Sequence, residues 1–171
     1  MYQYMWNEIK LLCKHLTGKK LDMKNFHADF EKPAHCAVLN TFLNCKIVCC
    51  FFHLSQSFYR KIQKHYYLHS KYKEENSEVG NWLRYFYGLA FLPPSEVGDE
   101  YAQLMSIAPN IEHVTHFADY VLNYYVSEDA DFNPSIWAAE PSDSPRSTNG
   151  PESFHSIIIH NFIHPIQTFS K

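Results

Sequence analysis

Four groups of side chains in this 171-residue sequence have types and spacings that suit chemistry. Asp29 stands in His27-Ala28-Asp29-Phe30-Glu31, and a carboxylate at the end of a strand in an α/β unit is where metals and ligands commonly sit. Read alone, such a residue is more often a solvated Asp opening a turn. Glu152 follows Pro151 at the predicted start of a helix, where exposed N–H groups and the helix dipole keep a carboxylate ionised, as a metal ligand must be. The simpler reading is a favourable first-turn charge. His155 lies three positions on, on the same helical face. Cys50 and His53 form a Cys-x-x-His pair, which is half of a zinc site and needs two more ligands from elsewhere. His155, His35 and Cys36 are candidate partners, although a cysteine at a strand end is more often a small buried apolar residue. Finally, Arg60, Lys61, Lys64, Lys71 and Lys73 interleave with Tyr59, Tyr66, Tyr67 and Tyr72. Such a run can contact a phosphate backbone and stack on splayed bases, or be a solvated helix face whose aromatics pack inward.

Positioning these groups requires particular elements. Met5, Ile9, Leu12 and Leu16 step at helical spacing, and Gly18 with Lys19 and Lys20 ends that helix near residue 17. From Phe26 the period becomes two, with Phe26, Ala28 and Phe30 on one side and His27, Asp29 and Glu31 on the other, so a strand presents Asp29 at its end. Pro33 suits the first turn of the next helix, whose stripe is Ala34, Ala37, Val38 and Phe42, to about residue 43. Lys46 to Phe52 is short, apolar and rich in β-formers, which predicts a buried strand with Cys50 and His53 leaving it. Strand, helix, strand is an α/β signature.

Residues 54–127 then read as all helix, in four segments: Leu54, Phe58, Ile62 and Tyr66; Val79, Trp82, Leu83 and Phe86; Val97, Tyr101 and Leu104; Phe117, Val121 and Tyr124. Gly88 to Pro94 is a turn, and Pro93-Pro94 forbids helix continuation. Residues 128–150 are a long polar loop anchored by Ile136 and Trp137, either functional or mobile. A last helix runs through Phe154, Ile158 and Phe162.

Composition bounds the rest. A hydrophobic fraction of 46% with 16% aromatic residues is ample for one packed domain. The longest apolar run, Ile47 to Phe52, is far too short for a membrane span, and the opening residues do not resemble a signal peptide. Five cysteines, two of them adjacent, suit free thiols in a reducing compartment. The net charge of −3 conceals an asymmetry: residues 1–73 hold 12 Lys/Arg against 4 Asp/Glu, and 74–171 hold 3 against 14. The basic half can attract a polyanion or the acidic half.

The strings DFE at 29–31, CFFHLSQSFYRKIQ at 50–63, LAFLPPSEVGDEYAQLM at 89–105, FADYVLNYYV at 117–126 and TNGPESFH at 148–155 together resemble the Mutator-like element (MULE) transposases, in order and in spacing. The resemblance implies an α/β fold dominated overall by helices. Residues 1–53 would be the C-terminal part of an RNase-H-like core, 54–127 a helical insertion, 128–150 a loop, and 151–171 the last core helix. It implies a nuclear DDE-type enzyme that cuts and joins DNA, with Asp29 as the second and Glu152 as the third of three acidic metal ligands. The 123 positions between those two accommodate the insertion. Cys50, His53 and His155 match the family's Cys-x-x-His and Glu-x-x-His elements, where zinc is a possible occupant. Arg60, Lys61 and Lys64 would face DNA, and self-association stays open. Phosphodiester cleavage uses two hard divalent ions, Mg²⁺ or Mn²⁺, about 3.5–4 Å apart and held by carboxylates. The family's first acid lies on an earlier strand. Before Asp29 this chain offers only Glu8, on the first helix, and Asp22, ahead of the strand. The resemblance therefore implies an incomplete catalytic domain, inactive by itself, or a derived protein that keeps DNA or protein contacts without chemistry. The sequence departs from the family at Pro33 and His35, where small helix formers are usual, which puts the helix after Glu31 in doubt.

Overall fold

The computed structural model describes residues 1–139. Helix α1 (Tyr2–Thr17) ends where Gly18 takes a left-handed φ of 69° and its N–H bonds back to the Lys14 carbonyl, the conformation for which glycine has least penalty. The face of α1 that docks on the protein is Tyr2, Trp6, Lys10 and Cys13. Trp6 meets Phe26 and Phe42 edge-on at 5.7 and 5.8 Å, and Lys10 Nζ donates to the Thr41 carbonyl at 3.1 Å. The apolar stripe Met5, Ile9, Leu12 and Leu16, although at helical spacing, stays exposed.

Strand β1 (Asn25–Ala28), helix α2 (Lys32–Thr41) and strand β2 (Lys46–Cys49) follow. The two strands are parallel, with Ala28 opposite Cys49, so α2 is the crossover that a parallel pair demands. Pro33 lies in the first turn of α2, and Ala34, Ala37 and Val38 are buried. The second strand is shorter than its apolar run predicts. It stops at Cys49, Cys50 is the N-cap of helix α3 (Phe51–Gln63), and His53 lies inside that helix.

The rest of the described chain is helical: α4 (Tyr66–Lys73), α5 (Glu78–Gly88), a 3₁₀ turn at Leu89–Phe91, α6 (Val97–Ser106), α7 (Glu112–Val121), a π-turn at Leu122–Val126 and a 3₁₀ turn at Pro134–Ile136. The protein is thus helix-dominated, around a two-stranded parallel sheet, among the described residues. No helix among them is long and apolar enough to cross a membrane.

One predicted helix is two. Ile62 and Leu68 are both fully buried, yet six residues of uninterrupted helix would set them about 120° apart around the axis. The break at Lys64–His65 lets both point inward, and it leaves Tyr66, expected on the buried stripe, 89% exposed. At the far end, the π-turn widens the last turn of α7: Ser127 N–H bonds to the Leu122 carbonyl at 2.9 Å. That turn carries Tyr125 inward, 3% exposed, and leaves Tyr124, the expected inward residue, 48% exposed.

The core is aromatic. Phe58, Phe86 and Phe117 are fully buried, with Phe117 meeting Phe86 at 5.1 Å and Phe58 at 6.2 Å, edge-on. Residues 128–139, the described part of the expected loop, are anchored rather than loose. Trp137 is buried and its indole N–H donates to the carbonyls of Phe132 and Tyr125. Phe132 packs edge-on against Phe30 at 5.2 Å, which closes this segment onto the end of β1.

Candidate functional site

Two regions carry functional side chains. The first is the carboxyl end of the sheet. Because Ala28 pairs with Cys49, Asp29 and Cys50 leave the two strands at the same level, and Cys50 N–H still bonds to the Ala28 carbonyl at 3.0 Å. The Asp29 side chain is exposed. Its main chain is held: His35 Nε2 lies 2.7 Å from the Asp29 carbonyl oxygen, which can only accept, so Nε2 carries a hydrogen and donates to it. The Cys49 thiol approaches the same oxygen at 3.8 Å and His35 Nε2 at 3.9 Å. Burial pushes the Cys49 thiol up to about 12, with the Asp29 charge adding to it, so it stays protonated at neutral pH.

Around this centre, Glu31 caps α2 and accepts a bond from the Tyr2 hydroxyl at 2.8 Å. That hydrogen bond, more than the nearby charges of Glu31 and Asp29, raises the Tyr2 pKa. Lys32 pairs with Asp131, joining the basic and acidic parts of the chain. The doubt over the helix after Glu31 is thereby resolved: α2 is intact, Pro33 starts it and His35 ties it back to the strand end. His35 is therefore engaged with Asp29 and Cys49, and Cys36 is exposed. Cys50 is buried and His53 half-buried, one helical turn on. Among the described residues, no three His, Cys, Asp or Glu side chains converge as a metal-binding group. Glu152 and His155 lie outside the described residues.

The second region is a cleft between α3 and the end of α7, about 350 Å³ in volume. Arg60, Lys61 and Lys64 line it together with Ser57, Tyr120 and Tyr124. Arg60 and Lys64 are exposed, and among the described residues none of the three cations is paired with a carboxylate. The Lys61 ammonium sits 4.8 Å from the centre of the Tyr120 ring, a cation–π contact that orients it without neutralising it. Tyr120 is in turn fixed by Tyr125, hydroxyl to hydroxyl at 3.1 Å, and burial raises its pKa. Tyr124 leans on Tyr120, ring centres 5.3 Å apart, and stays half exposed at the mouth.

The tyrosines that interleave with the cations in sequence go elsewhere. Tyr59 and Tyr72 pack together at 5.7 Å in a separate depression with Tyr87, and Tyr67 packs on His113. Lys71 is held by Glu74 at 2.6 Å. The cleft's own aromatics come from a helix some 60 positions later, which no local pattern in 59–73 could reveal. Beside the cleft, His65 stacks on His116 at 6.3 Å and lies 5.7 Å from His113. Desolvation, then the charges of Lys61, His113 and His116, hold His65 below the ordinary imidazole range.

Comparison of the chain with known protein families, with curated proteins and with solved structures gives no match.

Proposed function

We propose that this chain carries part of the catalytic core of a DDE-type, Mutator-like transposase, an RNase-H-like unit working on nuclear DNA, in which Asp29 and Glu152 are two of three acidic ligands. The observation that carries the reading is Asp29 itself. It is an exposed carboxylate immediately beyond a parallel strand of a β-α-β unit, with its main chain fixed by a buried imidazole. That is the place and the rigidity a metal ligand requires.

Asp29 offers a hard, ionisable oxygen free of any salt bridge among the described residues, which suits Mg²⁺ or Mn²⁺. One carboxylate is not a centre, and the further ligands would include Glu152. When bound, such ions activate a water or 3′-hydroxyl and neutralise charge on the leaving oxygen. Ahead of Asp29 the acids are Glu8, on α1, and Asp22, paired with Lys24 at 2.7 Å, neither at a strand end, and on this reading the chain alone is expected not to cut DNA.

Mn²⁺ titration followed by electron paramagnetic resonance tests this. Weak binding should be lost in both Asp29→Asn and Glu152→Gln, and a Mg²⁺- or Mn²⁺-dependent nicking assay on the chain should show no product. Mn²⁺ binding that survives both substitutions removes the proposal, whereas nicking that vanishes in both supports the two ligands and overturns the expectation that the chain is inactive alone.

A second reading is a transposase-derived protein that binds nucleic acid without chemistry, and the unpaired cations of the α3–α7 cleft favour it. Binding by phosphate contact must weaken as salt rises. Affinity for DNA that is level from low to physiological salt rules out such contact.

A further inference from the structure

We propose that the cleft between α3 and α7 is a binding site for single-stranded nucleic acid, with phosphates on Arg60, Lys61 and Lys64 and an unpaired base stacked on Tyr124. This rests on the nucleic-acid reading above and extends it from a charge argument to a defined ligand.

The geometry selects that ligand in three steps. Arg60 and Lys61 in the last turn of α3 and Lys64 at its C-cap stand at i, i+1 and i+4, so their side chains leave one face within about 6 Å of helical rise. That reach matches neighbouring phosphates on one strand rather than the two sides of a duplex. The opposite wall is aromatic, and Tyr124 presents a half-exposed ring there. A ring of this kind can stack on any base whose face is free, whereas a duplex keeps its base faces inside the stack. Finally, the walls are preset before any ligand arrives. Tyr120 is locked to Tyr125, Lys61 is held over Tyr120, and Tyr124 leans on Tyr120, so little side-chain freedom is lost on binding.

Among the described residues no acid lines the cleft, which leaves it open to an anion. Cations alone would accept any polyanion, and Tyr124 is the feature that distinguishes a nucleic acid from one without bases.

Fluorescence anisotropy with a labelled 12-mer of deoxythymidine, the same strand annealed to its complement, and polyphosphate as a baseless competitor tests the assignment on the full chain. The single strand should bind most tightly, with a log–log salt slope of about −2, the value for three neutralised phosphates on one strand. Tyr124→Ala should weaken it about tenfold, and Tyr124→Phe should keep the affinity because stacking needs the ring and not the hydroxyl. Lys64→Glu, at an exposed residue that threatens no packing, should weaken single strand and polyphosphate alike, while Tyr124→Ala should leave polyphosphate unaffected. A control pair, Lys19→Ala with Lys20→Ala, should change nothing by comparison.

Equal affinity for single strand and duplex, or no effect of Tyr124→Ala, overturns the proposal. So does a control pair as damaging as Lys64→Glu, which would reduce binding to overall charge. Asp29→Asn should leave this binding intact. Loss of Mn²⁺ binding with retained strand binding, or the reverse, therefore tells failure of one reading from failure of the other.

Discussion

His35 Nε2–H donates to the main-chain oxygen of Asp29 over 2.7 Å, from the second turn of the helix that follows the strand end. The bond makes the position of the Asp29 carboxylate depend on a side chain six residues away. His35 is 6% exposed and its ring meets Phe132 edge-on at 5.7 Å, so the same residue also fastens the 128–139 segment to the strand end.

His35→Ala should therefore leave the part-buried Asp29 carbonyl with only the weak Cys49 thiol contact at 3.8 Å and open a gap beside Phe132. The expected cost is about 2–4 kcal/mol, from the lost bond and the cavity together. Urea unfolding followed by circular dichroism measures it. An unchanged midpoint would show that the contact contributes nothing.

Helices α4 and α5 come close at Gly80, where a Cβ would run into the Lys71 carbonyl oxygen, a backbone atom that cannot swing away. In an open helix, alanine for glycine gains about 0.5–1 kcal/mol; here the sign reverses and Gly80→Ala should lose about 1–3 kcal/mol. Gly98, in the first turn of α6, meets nothing within 4 Å, so Gly98→Ala should be neutral or stabilising. Thermal melts of the two variants should move in opposite directions.

Because His65 titrates below its ordinary range when folded, the unfolded chain binds its proton first as pH falls. The stability linked to His65 is then complete above the normal imidazole value and is lost on acidification through that value toward the lower, folded one. The groups around it are Lys61 from α3 and His113 and His116 from α7, with Glu112 3.8 Å from His116. Melting temperature should fall between pH 7.5 and 5.5, and His65→Asn should flatten that slope. An identical slope in the variant would assign the effect to other groups.

Thiol reactivity should divide by environment. Cys36 is exposed, whereas Cys49 is buried and its thiol is pushed up to about 12. Iodoacetamide at pH 8 should therefore label Cys36 in the folded protein and reach Cys49 only after denaturation, since the thiolate is the reacting form. Mass spectrometry of the digested protein reads the sites, and early labelling of Cys49 would contradict the packing described.

Sequence patterns were most legible where local chemistry decides the backbone. Gly18 ends α1, Pro33 begins α2, and the two-fold alternation around Ala28 places Asp29 just beyond a strand. Legibility failed where a distant neighbour decides. No breaker residue marks Lys64–His65; the chain bends there because Ile62 and Leu68 both reach the core. The docking face of α1 is chosen by Trp6 meeting Phe26 and Phe42, and so the more regular Leu and Ile stripe is left outside. His35, ranked only as a loose metal candidate, is a structural donor, and the π-turn that exchanges Tyr124 for Tyr125 has no signature in periodicity.

The pairing of Ala28 with Cys49 also bears on how this chain tolerates change in length. Residues added at the exposed Leu43–Asn44, between the buried Phe42 and Cys45, alter only the route of the crossover, and the strand ends stay aligned. A single residue inserted within Asn25–Ala28 would turn Asp29 to the opposite face and part it from the level of Cys50. Length variation among descendants of this sequence should therefore gather in the loops and spare eight strand positions, which keep Asp29 and Cys50 at one level.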